Sequence, residues 1–434
     1  MKSTRQLTAE ALMRVEKDKS WSSFALDSVI IKNDLAPRDG AFVSALFYGV
    51  LERLITLDAC ITAHSKQKVA KLTAPVRAIL RMTVYQLLYM DSVPDYAAVS
   101  EGVNLARKMR AAKAAGYINA VLRSFLAGGK KIPLPAAEAV RLSVEYSVTE
   151  PLVSLWLESY GAENTLAILK ASIGSPPVFI RTNTLKTTSA ELLNILTENG
   201  IEAVIDDILP DCISVSSSSA LGRLPDYTKG MYHIQDKSSQ LCCMALDVQP
   251  EQNILDTCAA PGGKSFTIAQ LMNGKGKLVS AELHSKRAEN MAKRAENMQI
   301  ENITVLQADM SVPHPELGEF DRILCDVPCS GYGVIRRKPE IRYKKPEDFS
   351  EITETQYKIL SSAAKNCAKG GRILYSTCTL NPVENSGVIS RFLAENPDFS
   401  PAPLPELFGG KTEYTILGEF GGDCFFMAAL TRSI

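Results

Sequence analysis

The 434-residue chain balances 48 basic against 48 acidic side chains, with 46% hydrophobic and 22% charged residues. This is ordinary globular composition, which excludes a disordered chain, and without an 18-residue apolar run a membrane span is not expected. The opening MKSTRQLTAEALMRVEKDKS lacks a signal-peptide hydrophobic region, so the ten Cys imply free thiols in a reducing cytoplasm and not a disulfide framework.

The zero total hides an asymmetry. Residues 1–140 hold 20 Lys+Arg against 12 Asp+Glu, and the remainder 28 against 36. A basic front section fits a docking surface for a polyanion, although scattered solvated charge fits that count equally well. No internal repeat is evident, and Ser216 to Ser219 reads as a short polar turn.

The front section reads as helices. Phe42, Val43, Leu46, Phe47, Val50, Leu51 and Leu54 recur at helical spacing behind Pro37. Val76, Ile79, Leu80, Val84, Leu87 and Leu88 repeat the pattern. So do Tyr117, Val121, Leu122 and Phe125, closed by Gly128-Gly129. With no strand-like alternation between them, these stripes predict an all-α domain over 1–139.

Residues 140–235 read as a small α+β module. PVFIRTNTL, IEAVI and DCISVS have strand character, and a helix starts at Ser189 and stops at Gly200. Arg181 and Asn183 follow the first of these strands, where ordinary turn chemistry explains them better than RNA contact. GMYHIQDKSSQL marks the entry to the third section, 236–434. There strands NILDTCA, KLVSAEL, ITVLQAD, FDRILCDVP and GRILYSTCT alternate with helices GKSFTIAQLM, HSKRAENMAKRAENM, one near 353–368 and one from about Glu384. That alternation predicts a doubly wound α/β, Rossmann-like sheet. YTILGEF and CFFMAALTR, around a Gly-Gly-Asp turn, add an antiparallel edge.

Ligands of such sheets sit at the carboxyl ends of the strands. DTCAAPGGKS (256–265) supplies a turn, with Pro261, Gly262 and Gly263 allowing close backbone approach. It is neither a Walker A loop nor G-x-G-x-x-G. Asp256, Glu282, Asp309 and Asp326 end four successive strands. Glu282 is placed to accept from ribose hydroxyls, and Asp309 to receive the exocyclic amine of adenine. One such acid is usually a solvated loop carboxylate; four beside one glycine turn favour an adenosine ligand without phosphates, S-adenosylmethionine. Cys329 (DVPCSG) and Cys378 (YSTCT) follow the fourth and fifth strands and would face one pocket if those strands are neighbours. Cys60, Cys212, Cys242, Cys243, Cys325, Cys367 and Cys424 read as small buried hydrophobes. No metal site is expected, since there is no CxxC and the four His are scattered.

Two resemblances narrow the reading. ILRMTVYQLLYMDSVPDYAAVSEGVNLARK and GYINAVLRSF resemble the NusB family over about 1–130, which implies RNA contact. Arg107, Lys108, Arg110 and Lys113 are the candidate contacts, though a solvated helix end explains them as well. DTCAAPGGKS, DVPCSG and YSTCTLNPVEN together resemble the RNA 5-methylcytosine methyltransferases of the NOL1/NOP2/Sun family over about 140–434. Val327 stands where that family more often has Ala. The combination implies a 16S ribosomal RNA substrate, free or in an early small-subunit particle. It implies Cys378 as the nucleophile, Cys329 as the thiol that assists elimination, and Asp326 as the partner of ring nitrogen 3. It also puts Cys258, Ala259, Ala260, Pro261, Gly262, Gly263 and Lys264, with Glu282, Asp309 and Asp326, around S-adenosylmethionine. Arg336 and Arg337, with Lys338, would hold RNA phosphates. A monomer is expected, because no heptad run is present. The alternatives are a non-catalytic NusB-like RNA-binding factor and a 5-methylcytosine transferase acting on tRNA. DNA cytosine-C5 and exocyclic-amine methyltransferases fit less well. The first would not need the Thr-Cys motif. The second would carry an aromatic residue after Asp/Asn-Pro-Pro, where this chain has Val327-Pro328-Cys329.

Overall fold

The computed structural model describes all residues except 1, 19–21, 217–220 and 350, so most of the polar turn expected at 216–219 lies outside the described residues. The chain divides into two compact units, residues 1–174 with 335–346, and residues 175–334 with 347–434.

The first unit is helical: α1 (Thr4–Asp18), α2 (Ser22–Lys32), α3 (Pro37–Glu52), α4 (Leu54–His64), α5 (Ala74–Tyr89), α6 (Asp95–Lys108), α7 (Ala115–Ala127), α8 (Glu138–Tyr146) and α9 (Glu150–Ala171). The apolar stripes read from the sequence form its core: Val43, Leu46, Phe47 and Val50 of α3 meet Ile79 and Leu80 of α5 and Leu122 and Phe125 of α7, all fully buried. Leu54 does not end the α3 stripe. The backbone leaves helical geometry at Arg53, and Leu54 starts α4. Helices α8 and α9, placed with the α+β module by the boundary at 139/140, group instead with this unit. Thr56 donates to the Val144 carbonyl at 2.6 Å, the Ile55 amide donates to Ser147, and Leu152, Val153 and Trp156 of α9 are fully buried. Among the described residues, no single helix is long and apolar enough to cross a membrane.

Residues 335–346 are also part of this unit, although they follow the Cys329 loop in sequence. The cause is Arg342, which is fully buried. Its guanidinium donates to the carbonyls of Glu52 (3.1 Å), Tyr146 (3.1 Å) and Ser172 (2.7 Å), at the C-terminal ends of α3, α8 and α9. Helix C-termini carry unsatisfied carbonyls and partial negative charge, and one planar cation with five donors serves three of them. Tyr343 extends the anchor, accepting from the Leu54 amide and donating to the Leu51 carbonyl.

The second unit begins with a small α+β module: β1 (Val178–Thr182), α10 (Ser189–Glu198), β2 (Ala203–Ile205), β3 (Cys212–Val215), α11 (Pro225–Thr228) and β4 (Tyr232–Ile234). Its antiparallel sheet has the order β2-β3-β1-β4. Thr188 and Glu191 form a reciprocal capping box that starts α10 at the expected Ser189. GMYHIQDKSSQL, at the entry to the third section, supplies the edge strand β4 and leads into the helix that begins at Lys237. Arg181 and Asn183 are structural. Arg181 is almost fully buried against Asp211 and Gln270, and Asn183 donates to the carbonyls of Gly230 and Met298.

After α12 (Lys237–Ala245) come β5 (Asn253–Asp256), α13 (Gly263–Leu271), β6 (Lys277–Glu282), α14 (Ser285–Asn297), β7 (Ile303–Gln307), β8 (Phe320–Asp326), α15 (Ile352–Ala364), β9 (Cys367–Thr377), α16 (Ser386–Glu395), β10 (Phe399–Pro401), β11 (Glu413–Ile416) and β12 (Phe425–Arg432). The main path of the sheet is β10-β12-β9-β8-β5-β6-β7, with β11 paired to β12. The run β9-β8-β5-β6-β7 is parallel and β12 joins β9 antiparallel. This is the Rossmann-like arrangement with the antiparallel edge expected from the final pair. Strands β8 and β9 are neighbours, which is the condition that brings Cys329 and Cys378 to one place.

Candidate active site

The carboxyl ends of β5, β6, β8 and β9 build the site. After β5 the chain turns through Ala259–Gly263, with a cis Ala260–Pro261 peptide. Gly262 has φ +109°, and a Cβ there would lie 2.3 Å from the Phe266 ring, so glycine is required on both counts. Gly263 carries no such demand; it opens α13. Asp256 faces inward at 1% exposure, accepting from Ser265 at 2.6 Å and from the Cys258 amide. It is therefore a brace for the turn, unlike the other strand-end acids. Burial, only partly offset by Ser265, pushes its carboxyl up to about 6.

That shift makes a testable statement. A carboxyl whose folded pKa lies above its unfolded value of 3.8 binds more protons in the native state. Its contribution to stability is therefore lost as pH rises from about 4 to about 6 and stays lost above that. Asp256→Asn is neutral throughout. Its unfolding free energy relative to the natural protein should improve across that window by a few kcal/mol and be flat above it. A pH series of denaturant unfolding checks this; a constant difference from pH 4 to 8 contradicts it.

Glu282 ends β6 at 4% exposure. Its Oε1 accepts from the His284 amide at 3.0 Å and from Arg287 at 3.2 Å, and Arg287 also donates to the Ala260 carbonyl, tying this acid to the glycine turn. Asp309 follows β7. It accepts from the Ser311 amide and hydroxyl, which holds its carboxyl below the ordinary range. Lys264 is the cation of the turn. Its Nζ donates to Asp326 Oδ2 at 2.7 Å and lies over the Phe425 ring. Burial alone would lower the ammonium, but Asp326 outweighs it and holds its pKa above the ordinary value. With Lys264 engaged in this way, the turn presents backbone and a carboxylate to a ligand. That suits adenosine hydroxyls and offers little to a phosphate, so the residues present fit S-adenosylmethionine.

Asp326 also accepts from Ser376 through Oδ1, at 2.9 Å. Beyond it, Cys329 Sγ and Cys378 Sγ lie 3.2 Å apart. The hydrogen bond to Cys378, then burial, then the charges of Cys378, Glu384 and Asp326 push the Cys329 thiol well above its ordinary value. The pair shares a sulfur–sulfur hydrogen bond in which either thiol can be the donor, and ionisation of Cys329 is the disfavoured one of its two states. The seven cysteines read as hydrophobes are all buried. Among the described residues no His, Cys, Asp and Glu group is arranged to hold a metal.

Sequence reasoning missed several residues here. Gly333 donates to the Cys378 carbonyl at 2.9 Å and accepts from Cys424, and a Cβ would lie 2.2 Å from the Cys424 carbonyl. The helix expected from about Glu384 begins at Ser386, and the Glu384 and Asn385 side chains bond into the cysteine loops. The YSTCTLNPVEN motif was the available signal.

In the helical unit Arg107, Lys108, Arg110 and Lys113 are exposed. Arg107 lines a cleft of about 670 Å³ with Tyr96, Asn104, Asn119 and Arg123. Arg336 donates to the Gly174 carbonyl, and Arg337 lies in the same anchored segment.

The fold and the converging strand ends define a methyltransferase domain joined to a NusB-like helical domain. Family models agree in order: NusB over residues 2–127, a ferredoxin-like domain of RsmF/B-like methyltransferases over 150–221, and 16S rRNA methyltransferase RsmB/F over 243–431. The chain is 36% identical to the probable ribosomal RNA small subunit methyltransferase B of Bacillus subtilis, over 99% of each protein. It is 32% identical to the corresponding Synechocystis protein over 93% of this chain and 92% of that one. The chain belongs to the RsmB/F family of 16S rRNA methyltransferases. The crystal structure of PH0851 shares the fold, with a TM-score of 0.82, 24% identity and coverage of 100% and 99%. NSun6 from Pyrococcus horikoshii, solved with SFG, does so over 66% of this chain and 98% of that one, at 0.58 and 19% identity.

Proposed function

We propose that this protein is a cytoplasmic, monomeric enzyme that converts a cytosine of 16S rRNA to 5-methylcytosine with S-adenosylmethionine, through a transient bond between Cys378 and carbon 6 of the ring. The observation that carries the reading is the pair of sulfurs 3.2 Å apart beside the Lys264–Asp326 pair. Membership of the family supports the substrate class.

Carbon 5 of cytosine is a weak nucleophile. The Cys378 thiolate, its proton lost to solvent, adds to carbon 6, electrons move toward nitrogen 3, and carbon 5 becomes enamine-like. Asp326 supplies a proton to nitrogen 3 and draws one from Lys264. The Cys258–Gly263 turn, Glu282 and Asp309 would hold S-adenosylmethionine, which would supply the electrophilic methyl group that carbon 5 takes, with S-adenosylhomocysteine as the leaving group. Cys329 then assists loss of the carbon 5 proton to solvent, so that the double bond reforms, Cys378 sulfur is expelled and nitrogen 3 returns its proton. The target base must leave its stack to reach the sulfurs.

The test uses methyl-labelled cofactor and a 16S rRNA transcript. Label is expected in 5-methylcytidine after digestion, and Cys329→Ala is expected to accumulate a denaturation-resistant protein–RNA adduct. Label in another nucleoside, or no adduct in that variant, overturns the reading.

RNA is held by the helical unit at the cleft beside Arg107, with Lys108, Arg110 and Lys113 next to it, and by Arg336 and Arg337. Arg107→Glu combined with Arg123→Glu should weaken RNA binding by about tenfold or more and reduce the log–log salt slope by about 2. Filter binding across a salt series checks this; an unchanged slope counts against the cleft.

A further inference from the structure

Two adjacent residues between β9 and α16 contact the loops of both sulfurs. Glu384 is fully buried. Its Oε2 accepts from the Ser330 amide at 2.9 Å and from Gln356 Nε2 at 3.0 Å, and its Oε1 accepts from Asn381 Nδ2 at 2.9 Å. Gln356 Nε2 also donates to the Pro328 carbonyl at 2.9 Å. Cys329 is therefore gripped at both neighbours, Pro328 and Ser330, by one network centred on Glu384. Asn385 does the same for Cys378. Its Oδ1 accepts from the Thr377 hydroxyl at 2.6 Å and its Nδ2 donates to the Thr379 carbonyl at 3.0 Å. Ser330 and Thr379 hydroxyls lie 2.6 Å apart, joining the two grips. The Tyr375 hydroxyl donates to the Glu384 carbonyl at 2.6 Å and fixes the dipeptide itself.

A buried carboxylate is costly unless its lone pairs are satisfied. Here three N–H donors satisfy it, two of them amide side chains recruited from α15 and from the Cys378 loop. None of this geometry is needed to fold a Rossmann-like sheet, and all of it converges on the two cysteines.

We propose that Glu384 and Asn385 are positioning residues with separate tasks: Glu384 sets Cys329 against Cys378 for the elimination step, and Asn385 sets Cys378 for addition to the base. The proposal rests on the sulfur roles given above. Cys329 works on the step that breaks the carbon 6–sulfur bond, so displacing it slows resolution and leaves the adduct in place. Cys378 works on the step that makes that bond, so displacing it leaves no adduct to resolve. The two neighbours thus have opposite signatures, and loss of structure cannot produce the rise in adduct.

The experiment compares Glu384→Gln and Asn385→Leu in the full chain with 16S rRNA transcript and S-adenosylmethionine. Trapped adduct, steady-state turnover and KM are measured for each, with Cys329→Ala as control. Glu384→Gln is expected to lower kcat by about 10- to 100-fold, leave both KM values within about twofold, and raise trapped adduct at least tenfold. Asn385→Leu is expected to lower kcat similarly and to trap no adduct above background. Gln356→Met removes both Gln356 bonds while keeping the carboxylate, and should shift adduct in the same direction as Glu384→Gln; it serves if the latter fails to bind cofactor. Adduct falling in both the Glu384 and Gln356 variants, or unchanged turnover in either dipeptide variant, overturns the proposal. If Cys329→Ala itself traps nothing, the sulfur roles fail; if it traps adduct and Glu384→Gln does not, the positioning role alone fails.

Discussion

Cys378→Ala is expected to lose methyl transfer by about 10⁴-fold or more while still binding RNA and S-adenosylhomocysteine with nearly natural affinity. The size follows from what the sulfur does. Without a bond at carbon 6, carbon 5 keeps its aromatic reluctance, and neither Asp326 nor Lys264 can replace the addition. Asp326 and Lys264 can polarise the ring but cannot add to it. Removing a covalent nucleophile typically costs several orders of magnitude and leaves only binding and electrostatic assistance. The second sulfur does not rescue the variant. Cys329 is pushed well above its ordinary value, first by the hydrogen bond to Cys378 and then by burial, so its thiol form is favoured. A protonated thiol is a poor nucleophile. With Cys378 removed, burial and the Glu384 and Asp326 charges still oppose ionisation of Cys329. Single-turnover methylation at saturating cofactor, with adduct trapping in parallel, measures the effect. Activity within tenfold of the natural protein would reassign the nucleophile to Cys329.

The elements that position these sulfurs were legible in sequence to different degrees. Periodicity revealed the long helices and the buried strands, because an apolar stripe must face a core wherever the chain folds. The strand-end residues were legible because parallel sheets gather ligands at one edge. What stayed hidden depends on distant partners. Arg342 has no local signal in sequence, since the helix ends it serves lie 290, 196 and 170 residues away. β4 is three residues long and carries no alternation signal of its own; its pairing with β1 makes it a strand. Asp256 looked like the other strand-end acids. Ser265, nine residues on, and the Cys258 amide hold it inward. Gly333 likewise has no local signal, because the backbone that closes on it is Cys424, at the entry to β12.

Lys264→Met tests the proton side of the same chemistry and should lower kcat by about 10²- to 10³-fold. Addition of sulfur to carbon 6 puts charge on the pyrimidine, and a proton at nitrogen 3 relieves it. In the native site both Asp326 oxygens already accept, from Ser376 and from Lys264. The carboxylate is thus an acceptor whose nearest transferable proton sits on Lys264. Take that ammonium away and the Ser376 hydroxyl that remains bonded to Asp326 is far too weak an acid to supply the proton. Met preserves the length and apolar stem that pack near Phe425, so the turn should keep its shape. Affinity for S-adenosylhomocysteine should fall only a few-fold, because Nζ is committed to Asp326 in the free site. The pH profile supplies a second reading. Asp326 holds the Lys264 ammonium above its ordinary 10.5 against the opposing effect of burial. The natural enzyme should therefore show no lysine limb between pH 7 and 10. A tenfold or greater loss of cofactor affinity in Lys264→Met, with the single-turnover rate preserved at saturation, would instead make Lys264 a cofactor ligand and leave the proton to reach nitrogen 3 by another route.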